Sequence, residues 1–349
     1  MKQTPKCLLA IDTSCDDTAA AVVCGTVVLS NVIASQTELH RPYGGVFPTV
    51  AKQAHKENID AVIALALQRA KMLPQQLTAI AVTQGPGLAP ALEVGISAAK
   101  KMAAIHNLPL IAVNHIEGHL LSPLAQPKTK IDIAKSVTQF PVLSVIVSGG
   151  HTQFVEVTNF GEYHILGATL DDAAGECLDK VGRMLNLGYP AGPVIEEFAK
   201  LGNPKAIPFP LPMTTTKDAS MSFSGLKTAA RNMIEEKTKE KPLTKQEVYD
   251  FCASIQYSVF RHIVYKLNTL ISNKKYRELW LGGGVAANME LRRMIREAAK
   301  KQSITVRAPY TRRLCQDNAA MIGIAGSYAC ARQQFANTPS LERMPRLSL

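Results

Sequence analysis

The sequence predicts an α/β protein made of two similar lobes, on the strength of two observations. A chain of 349 residues is longer than one ordinary core requires, and its 46% apolar composition is ample for packed cores. The predicted order of elements, three strands followed by helix, strand, helix, strand and helix, occurs twice. Because the period is far longer than a solenoid repeat, the duplication indicates two lobes.

The first lobe is predicted over residues 1–139 from the spacing of its apolar residues. Short runs rich in β-branched residues predict strands, and apolar residues three to four positions apart predict helices. The strands are CLLAID, TAAAVVC, VVLSNVIAS, LTAIAVT and LPLIAV. The helices cover residues 48–72, the segment APALEVGISAAKKMAAIH, and a stretch that begins near His115.

The second lobe is predicted over residues 140–314, and a final helix within 315–349 is expected to return to the cleft. The strands are FPVLSVIVS, TQFVEVT, EYHILGAT, YRELWLGGG and ITVRAP. The helices cover 170–187, 190–201, 245–272, AANMELRRMIREAAKKQ and QDNAAMIGIAGSYACARQQF. NPKAIPFPLPMTTT is predicted to be irregular because of its prolines. The tail after Arg332 is polar and contains no motif.

Charge and cysteine content narrow the class of protein. A net charge of +11 favours a polyanionic partner such as nucleic acid, although the excess lysines could also serve solubility alone. No apolar run reaches the length of a membrane span, and the N-terminal apolar stretch is too short for a signal peptide. Seven cysteines without a CxxC pair are typical of reduced thiols. We therefore expect a cytoplasmic protein with no membrane association.

Two matched pairs of segments indicate a phosphate-binding cleft between the lobes. LLAIDTSCDDTAAAVV and LSVIVSGGHTQFVEVT each predict strand, polar turn and strand, with backbone N–H groups free at the turn. One such turn alone could be an ordinary glycine hairpin. IAVTQGPGLAPAL and LWLGGGVAANMEL are each strand, glycine-rich loop and helix, but match neither a Rossmann nor a Walker motif. The arrangement is typical of duplicated ribonuclease H-like lobes, as in the actin, sugar kinase and heat-shock ATPase superfamily.

A histidine pair suggests a metal site. In NHIEGHLLSP, His115 and His119 are four positions apart and would lie on one face of a helix. The pair alone is a weak signal and could be a structural accident. Asp317 in CQDNAAM begins the last predicted helix and could add a carboxylate. Two imidazoles and a carboxylate suit Fe2+ or Zn2+.

These segments together resemble the tRNA N6-adenosine threonylcarbamoyltransferase family, TsaD, once described as a glycoprotease. The resemblance runs from about residue 7 to about residue 330, and HIEGHLLSP is similar to the bacterial branch. The motifs that carry it are IDTSCDDT, GGVFPTVAKQAH, GPGLAPAL, NHIEGHLLSP, VSGGHTQ, LDDAAGECLDKVGRMLNLGYPAGP, SFSGLKT, GGGVAANMELR and CQDNAAM.

The resemblance implies a reaction and a set of site residues. Members transfer a threonylcarbamoyl group from L-threonylcarbamoyladenylate to N6 of adenosine 37 in tRNAs that read ANN codons, forming t6A and releasing AMP. One metal ion per subunit, generally iron, would be held by His115, His119 and Asp317. The adenylate would be bound by Ile146, Val147, Ser148, Gly149, Gly150, Asp179, Gly192 and Asn288. The implied partners are tRNA, a TsaB-like paralogue and a TsaE-like P-loop ATPase.

Two further expectations concern catalysis and departures from the family pattern. Asp16, in the first polar turn, is our hypothesis for the residue that orients or deprotonates the adenosine amine. Six positions differ from the residues usual in the family, and these differences bear on partner contacts and turnover more than on metal binding. They are Asp12, Asp17, Thr49, Gln53, Pro90 and Glu93.

Three other functions are each at odds with a feature of the sequence. A metalloprotease would need a base beside a metal-bound water, and the chain has no HExxH motif. An ATPase or sugar kinase of the same superfamily would favour oxygen ligands for magnesium over a pair of imidazoles. A non-enzymatic scaffold similar to the degenerate paralogue would lack the histidine pair, which this chain keeps.

Overall fold

A computed structural model describes residues 6–130, 138–272 and 275–349, and divides the chain into two compact units. Unit 1 comprises Met1–Thr138 and Ala308–Leu349, and unit 2 comprises Gln139–Arg307. Residues 308–314, predicted at the end of the second lobe, belong to unit 1. Residues 1–5 and 131–137 of the predicted first lobe lie outside the described residues. None of the described helices combines the length and apolar character needed to cross a bilayer.

All the predicted strands and helices occur, in the predicted order. The strands are β1 Cys7–Asp12, β2 Asp17–Cys24, β3 Val27–Ser35, β4 Ala79–Gly85, β5 Leu110–Asn114, β6 Gln126–Pro127, β7 Val142–Val147, β8 Thr152–Asn159, β9 Glu162–Ala168, β10 Glu278–Gly282 and β11 Thr305–Arg307. The helices are α1 Thr37–His40, α2 Pro48–Ala70, α3 Ala89–His106, α4 His115–Leu121, α5 Ala174–Met184, α6 Gly192–Ala199, α7 Ser224–Thr238, α8 Lys245–Ile271, α9 Met289–Lys301 and α10 Ala319–Ala331.

The two sheets share one topology. The unit 1 sheet has the order β5-β4-β1-β2-β3-β6, and the unit 2 sheet has the order β11-β10-β7-β8-β9. In each sheet the first three strands in sequence are antiparallel neighbours, the fourth pairs in parallel with the first, and the fifth pairs in parallel with the fourth. The unit 1 sheet also contains the short strand β6, which pairs in parallel with β3. The predicted duplication of two ribonuclease H-like lobes is therefore confirmed.

The central strand of unit 1 is buried on both faces. All six residues of β1 are buried, and Leu9 and Ile11 pack in the core beneath α2 and α3. On the other face, α10 lies close to the sheet because Gly323 and Gly326 lack side chains. A Cβ at Gly323 would come within 2.5 Å of Val23, and one at Gly326 within 2.6 Å of Ala81. This layering places the start of α10 beside the ends of β1 and β4.

Strand β6 and the four-residue helix α1 were not predicted, and neither was the longer helix α7. It lies between the proline-rich segment and α8, where no helix was expected, and its first turn is capped from a distant part of the chain. The Asp171 carboxylate accepts hydrogen bonds from Phe223 N at 2.8 Å, Ser224 N at 3.2 Å and the two hydroxyls of Ser222 and Ser224 at 2.6 Å. Because the cap is about fifty residues away, local patterns do not reveal it.

The prediction that all seven cysteines are reduced is wrong for two of them. Cys7 and Cys24 form a disulfide, while Cys15, Cys177, Cys252, Cys315 and Cys330 remain outside disulfides as thiols. Cys7 and Cys24 are directly opposite in the antiparallel β1–β2 pair, with Cα atoms 4.1 Å apart. A sequence separation of 17 residues conceals this adjacency, which only the strand register creates.

The C-terminal tail, residues 336–349, packs on unit 1. Ala336 N donates to Leu110 O at 2.8 Å, Met344 N donates to Gln84 O at 2.8 Å, and Leu341 is buried in the core beneath α2 and α3. Gly85 is close to the tail, since a Cβ there would clash with the Met344 carbonyl. The tail thus follows the end of β4 toward the start of α4.

Candidate active site

The short helix α4 presents the histidine pair. It begins directly after β5, and the Asn114 side chain caps it by accepting hydrogen bonds from Ile116 N at 2.8 Å and Glu117 N at 3.4 Å. The Asn114 Nδ2 group also donates to Ser348 O in the tail at 2.8 Å. The rings of His115 and His119 lie on one face of the helix, with centroids 4.7 Å apart.

The start of α10 brings Asp317 to these rings. Gly118 permits the close approach of α4 to α10, because a Cβ there would be 2.9 Å from Ile322. Asp317 Oδ1 lies 3.1 Å from His119 Nε2 and 3.5 Å from His115 Nε2. One ligand atom from each of the three residues lies within 4.8 Å of the others. The structure thus brings together the three residues expected to bind metal.

The geometry fits a divalent metal ion. Imidazole nitrogens and carboxylate oxygens bind such ions at about 2.0–2.2 Å, so ligands of one ion stand roughly 3–3.5 Å apart. The two distances from Asp317 to the histidines fall in this range. Two imidazoles and one carboxylate also leave coordination positions open for substrate oxygens. The donor set therefore suits Fe2+ or Zn2+.

The charges of Asp317 and His115 strongly influence each other. Burial alone would raise the pKa of the Asp317 carboxyl, but the His115 and His119 rings hold it well below its ordinary value. Burial also disfavours protonation of His115, yet the Asp317 and Asp12 carboxylates raise its pKa to about 9. Without a cation the aspartate is therefore ionised and His115 protonated, a charge pattern that a bound divalent cation would replace.

Sequence reasoning missed the groups that orient His115. Asp12, at the end of β1, is buried and accepts hydrogen bonds from Thr83 Oγ1 at 2.8 Å and Ser14 N at 3.1 Å. Its Oδ2 lies 3.7 Å from His115 Nδ1, and Ser14 Oγ lies 3.0 Å from the same nitrogen. A carboxylate behind a metal-binding histidine fixes the ring and strengthens it as a ligand. The sequence signals were that Asp12 ends a predicted strand and that it lies in the IDTSCDDT motif, at one of the positions that differ from the family pattern.

Asp16 lies in the same polar turn, between β1 and β2. Burial, and then the negative charge of Asp317, raise the pKa of the Asp16 carboxyl, while the neighbouring Cys15 and His40 oppose the shift. The interaction with Asp317 places Asp16 in the electrostatic surroundings of the triad. A carboxylate with a raised pKa is a better proton acceptor than an exposed one.

The predicted adenylate-binding turn of unit 2 is held by hydrogen bonds between its own residues. Ile146 and Val147 end the buried strand β7, after which Ser148 N donates to His151 O at 2.7 Å and His151 N donates to Ser148 Oγ at 3.0 Å. Gly149 and Gly150 are exposed, and a Cβ at either would meet no atom within 4 Å. The tip of the turn therefore leaves the glycine backbone open to a ligand.

Gly175 ties this turn to α5. Gly175 N donates to Ser148 O at 3.2 Å, and a Cβ at Gly175 would approach that oxygen to 2.7 Å. Any larger residue at Gly175 would therefore displace the turn.

Two further predicted substrate residues meet where the Asp179 side chain of α5 reaches the start of α6 at Gly192. Asp179 Oδ1 accepts hydrogen bonds from Ala191 N at 2.8 Å and Gly192 N at 3.0 Å. Asp179 therefore fixes the backbone at Gly192. A ligand that contacts one of these residues would lie close to the other.

Asn288 is already engaged within the protein. Its Oδ1 caps α9 by accepting from Glu290 N at 2.9 Å and Leu291 N at 3.3 Å, and its Nδ2 donates to Gln256 Oε1 at 2.7 Å. Gln256 lines a cavity of about 700 Å³ that Glu196, Met289 and Arg293 also border. All the predicted adenylate residues belong to unit 2, whereas the metal triad and Asp16 belong to unit 1.

Solved structures with the same fold confirm the class of protein. The chain is similar to HypF of T. kodakarensis, with a TM-score of 0.60 and 14% identity, covering 94% of this chain and 48% of that one. It is also similar to component A of the (R)-2-hydroxyglutaryl-CoA dehydratase of Acidaminococcus fermentans, with a TM-score of 0.53, 13% identity and coverage of 94% and 99%. These likenesses define a duplicated α/β protein, to which the triad adds a candidate metal centre.

Sequence comparisons identify the family. The profile of the tRNA N6-adenosine threonylcarbamoyltransferase family matches residues 27–324. The enzyme of that name from Clostridioides difficile is 45% identical over 98% of both chains, and that from Christiangramia forsetii is 41% identical over 95% of both. The chain belongs to the tRNA N6-adenosine threonylcarbamoyltransferase family.

Proposed function

We propose that this chain transfers the threonylcarbamoyl group of L-threonylcarbamoyladenylate to N6 of adenosine 37 in tRNAs that read ANN codons. The new bond joins N6 to the acyl carbon, the bond from that carbon to the phosphate oxygen breaks, and AMP leaves. The observation that carries the proposal is the convergence of His115, His119 and Asp317 in a member of this family. It favours acyl transfer over the ATPase, kinase and metalloprotease alternatives.

We propose that the triad holds one Fe2+ per subunit, with Zn2+ as the alternative. When bound, the ion would act as a Lewis acid toward oxygens of the threonylcarbamoyl group and orient it. The protein fixes its ligands through buried contacts. Asn114 sets the start of α4, while Ser14 and Asp12 orient the His115 ring.

Asp16 is proposed to accept the proton that leaves N6. Neutral adenine N6 is a weak nucleophile, so a nearby carboxylate of raised pKa assists as the new bond forms. This role would make the reaction dependent on an ionised Asp16. An Asp16→Asn variant that keeps full transfer activity with adenylate and tRNA bound would contradict it.

The adenylate is proposed to bind to unit 2. The exposed glycines of the turn at residues 146–150 can offer backbone N–H groups to the phosphate, and Asp179 with Gly192 would contact the nucleoside. Asn288 would act mainly by holding the start of α9 in place, since its amide is engaged by the backbone and by Gln256.

The remaining proposals concern partners and location. tRNA is the acceptor, and a TsaB-like paralogue and a TsaE-like P-loop ATPase are proposed partners, because members of the family work with them. The protein would act in the cytoplasm, where its tRNA substrate is found. The purified chain is therefore expected to need its partners for sustained turnover.

The experiment that tests the function is nucleoside mass spectrometry of tRNA from cells depleted of the protein. Loss of the threonylcarbamoyl modification, restored by the wild-type chain but not by a His115→Ala, His119→Ala double variant, is expected. An unchanged level of modified adenosine after depletion would contradict the proposal. Release of ADP from ATP without tRNA would favour the kinase alternative.

A further inference from the structure

An exposed aromatic surface lies on unit 1 between α1 and α2. We call residues 39–47 the aromatic segment. Tyr43 and Phe47 are 58% and 48% exposed, yet their rings stack on each other with centroids 5.1 Å apart and planes 17° apart. Such a pair of rings contributes little to folding, because about half of their area remains exposed to solvent.

A buried polar network holds this segment in place. Gln36 Oε1 and Nε2 bond His40 Nε2 at 3.2 Å and His55 Nδ1 at 3.1 Å, and all three side chains are fully buried. His40 Nδ1 accepts from Phe47 N at 3.3 Å, which fixes the backbone beneath the aromatic pair. Fully buried hydrogen-bonded groups of this kind define one conformation. The rings are therefore presented on a rigid base.

The same network reaches the polar turn that carries Asp16. His55 Nε2 bonds Cys15 O at 3.0 Å, and Gln36 N donates to Asp16 O at 3.0 Å. His40 also acts electrostatically on Asp16, which in turn interacts with Asp317. Hydrogen bonds of His40, Gln36 and His55 thus connect the aromatic segment to the turn that carries the proposed proton acceptor.

The chemistry of the segment fits unpaired nucleobases. Exposed aromatic rings stack bases, and arginine guanidinium groups add stacking and phosphate contacts. Arg41, two residues before Tyr43, is exposed, and its salt bridge to Glu38 at 2.7 Å lies in solvent, so it can exchange for a phosphate at little cost. The net charge of +11 favours a polyanion over a neutral or basic protein partner.

We propose that Arg41, Tyr43 and Phe47 bind unpaired bases of the tRNA anticodon loop beside the reacting adenosine. The inference rests on the proposed function and adds the surface that receives the acceptor. The rings would stack a neighbouring base of the loop, and the buried network would keep that base in register with the Asp16 turn.

The test measures binding separately from transfer. Affinity for an unmodified tRNA transcript that reads an ANN codon is compared with affinity for the same transcript without its anticodon arm, in the absence of any threonylcarbamoyl donor. A Tyr43→Ala, Phe47→Ala variant is expected to bind the complete transcript about tenfold more weakly. It should bind the transcript without the arm as the wild type does. A Tyr43→Trp, Phe47→Tyr variant, which keeps an aromatic ring at both positions, should bind the complete transcript as tightly as the wild type.

A matched control is available in the same unit. Leu73 is 65% exposed and follows α2, whose 23 residues separate it from Phe47 by about 34 Å of helix. Leu73→Ala should leave tRNA affinity unchanged. Thermal unfolding of all variants should match the wild type, because the substituted side chains are exposed.

Several outcomes would overturn the inference. One is equal affinity of wild type and the Tyr43→Ala, Phe47→Ala variant for the complete transcript; another is a wild-type chain that prefers neither transcript. A variant that binds tRNA normally but loses activity only with partner proteins present would assign the surface to a protein. A wild-type chain that binds tRNA through this surface yet never modifies it would instead contradict the proposed function alone.

Discussion

Asp317 has the largest expected effect of any single residue. Its carboxylate contacts both histidines, so Asp317→Asn would remove a negative ligand and leave two imidazoles. We expect the affinity for Fe2+ or Zn2+ to fall by more than about 100-fold, the upper range for loss of supporting contacts. Metal titration of the purified chain measures this. The neighbouring exposed Gln316→Ala is the control, and undiminished metal binding by Asp317→Asn would remove Asp317 from the site.

Asp12 should influence the metal without touching it. Asp12→Asn keeps the hydrogen bonds to the backbone and to Thr83 but removes the charge behind His115. We expect metal affinity to drop about 10- to 100-fold with little change in the affinity for tRNA. Titration of both ligands on one preparation separates this positioning role from a general loss of structure, which would weaken both.

Asp17 makes stability depend on pH. Burial raises the pKa of its carboxyl to about 7, although Ser35 opposes the shift. Because the unfolded chain ionises this group near pH 4, the folded state holds a proton that the unfolded state has lost between about pH 4 and pH 7. The contribution of Asp17 to the free energy of unfolding therefore falls as pH rises through that window.

Removing the charge should remove this dependence. Asp17→Asn is expected to be more stable than the wild type at pH 8 by about 2 kcal/mol or more, and similar to it near pH 4. Urea denaturation at several pH values measures the difference. The exposed Asp60→Asn should keep the wild-type profile. Parallel pH profiles of Asp17→Asn and the wild type would show that Asp17 is not the group responsible.

The triad could be predicted at the level of residues, but its support could not. His115 and His119 are close in sequence and share a helix face, so their spacing carries the signal. Asp12 and Thr83 meet only because β1 and β4 are parallel neighbours. They lie near His115 because β5 pairs with β4 and α4 begins directly after β5. Such contacts are properties of strand order, which local sequence patterns do not contain.

At the level of elements, regular patterns were predicted and distant contacts were not. The long amphipathic and β-branched stretches gave most helices and strands within a few residues. In contrast, α7 depends on Asp171 for its cap, and the tail gains its position from partners on β4 and β5. These partners are distant in sequence, so no element was predicted for α7 and no motif was found in the tail.

The tail is expected to stabilise the end of the unit 1 sheet. Leu341 is 5% exposed and packs in the core, so Leu341→Ala should cost about 2 kcal/mol of unfolding free energy, at the low end for a buried leucine. Amide exchange at Met344 and at the loop after β4 should accelerate. The exposed Met344→Ala, which keeps its backbone hydrogen bond to Gln84, is the control. Unchanged stability and exchange in Leu341→Ala would mean that the tail contributes little.

For the whole molecule, the duplication was predictable because it repeats an order of elements and not a sequence. Each half places two polar or glycine-rich loops at the ends of corresponding strands, namely after β1 and β4 and after β7 and β10. The residues on these loops and on the nearby helices differ between the halves, since unit 1 carries the triad and unit 2 carries the open glycine turn. The same framework thus carries two kinds of candidate site.

Net charge leads to a prediction for the whole protein. If tRNA binding involves roughly four phosphate contacts, the affinity should fall by about 50-fold between 50 and 200 mM salt, following a slope of about −0.7 per contact. Arg313 is exposed in the loop before Asp317, and Arg313→Glu should reduce the slope by about one contact. Tyr43→Ala should lower affinity at every salt concentration and leave the slope unchanged, because stacking releases no counterions. Binding isotherms over a salt series distinguish the two effects. A slope near zero in the wild type would mean that the positive charge does not contact the phosphate backbone.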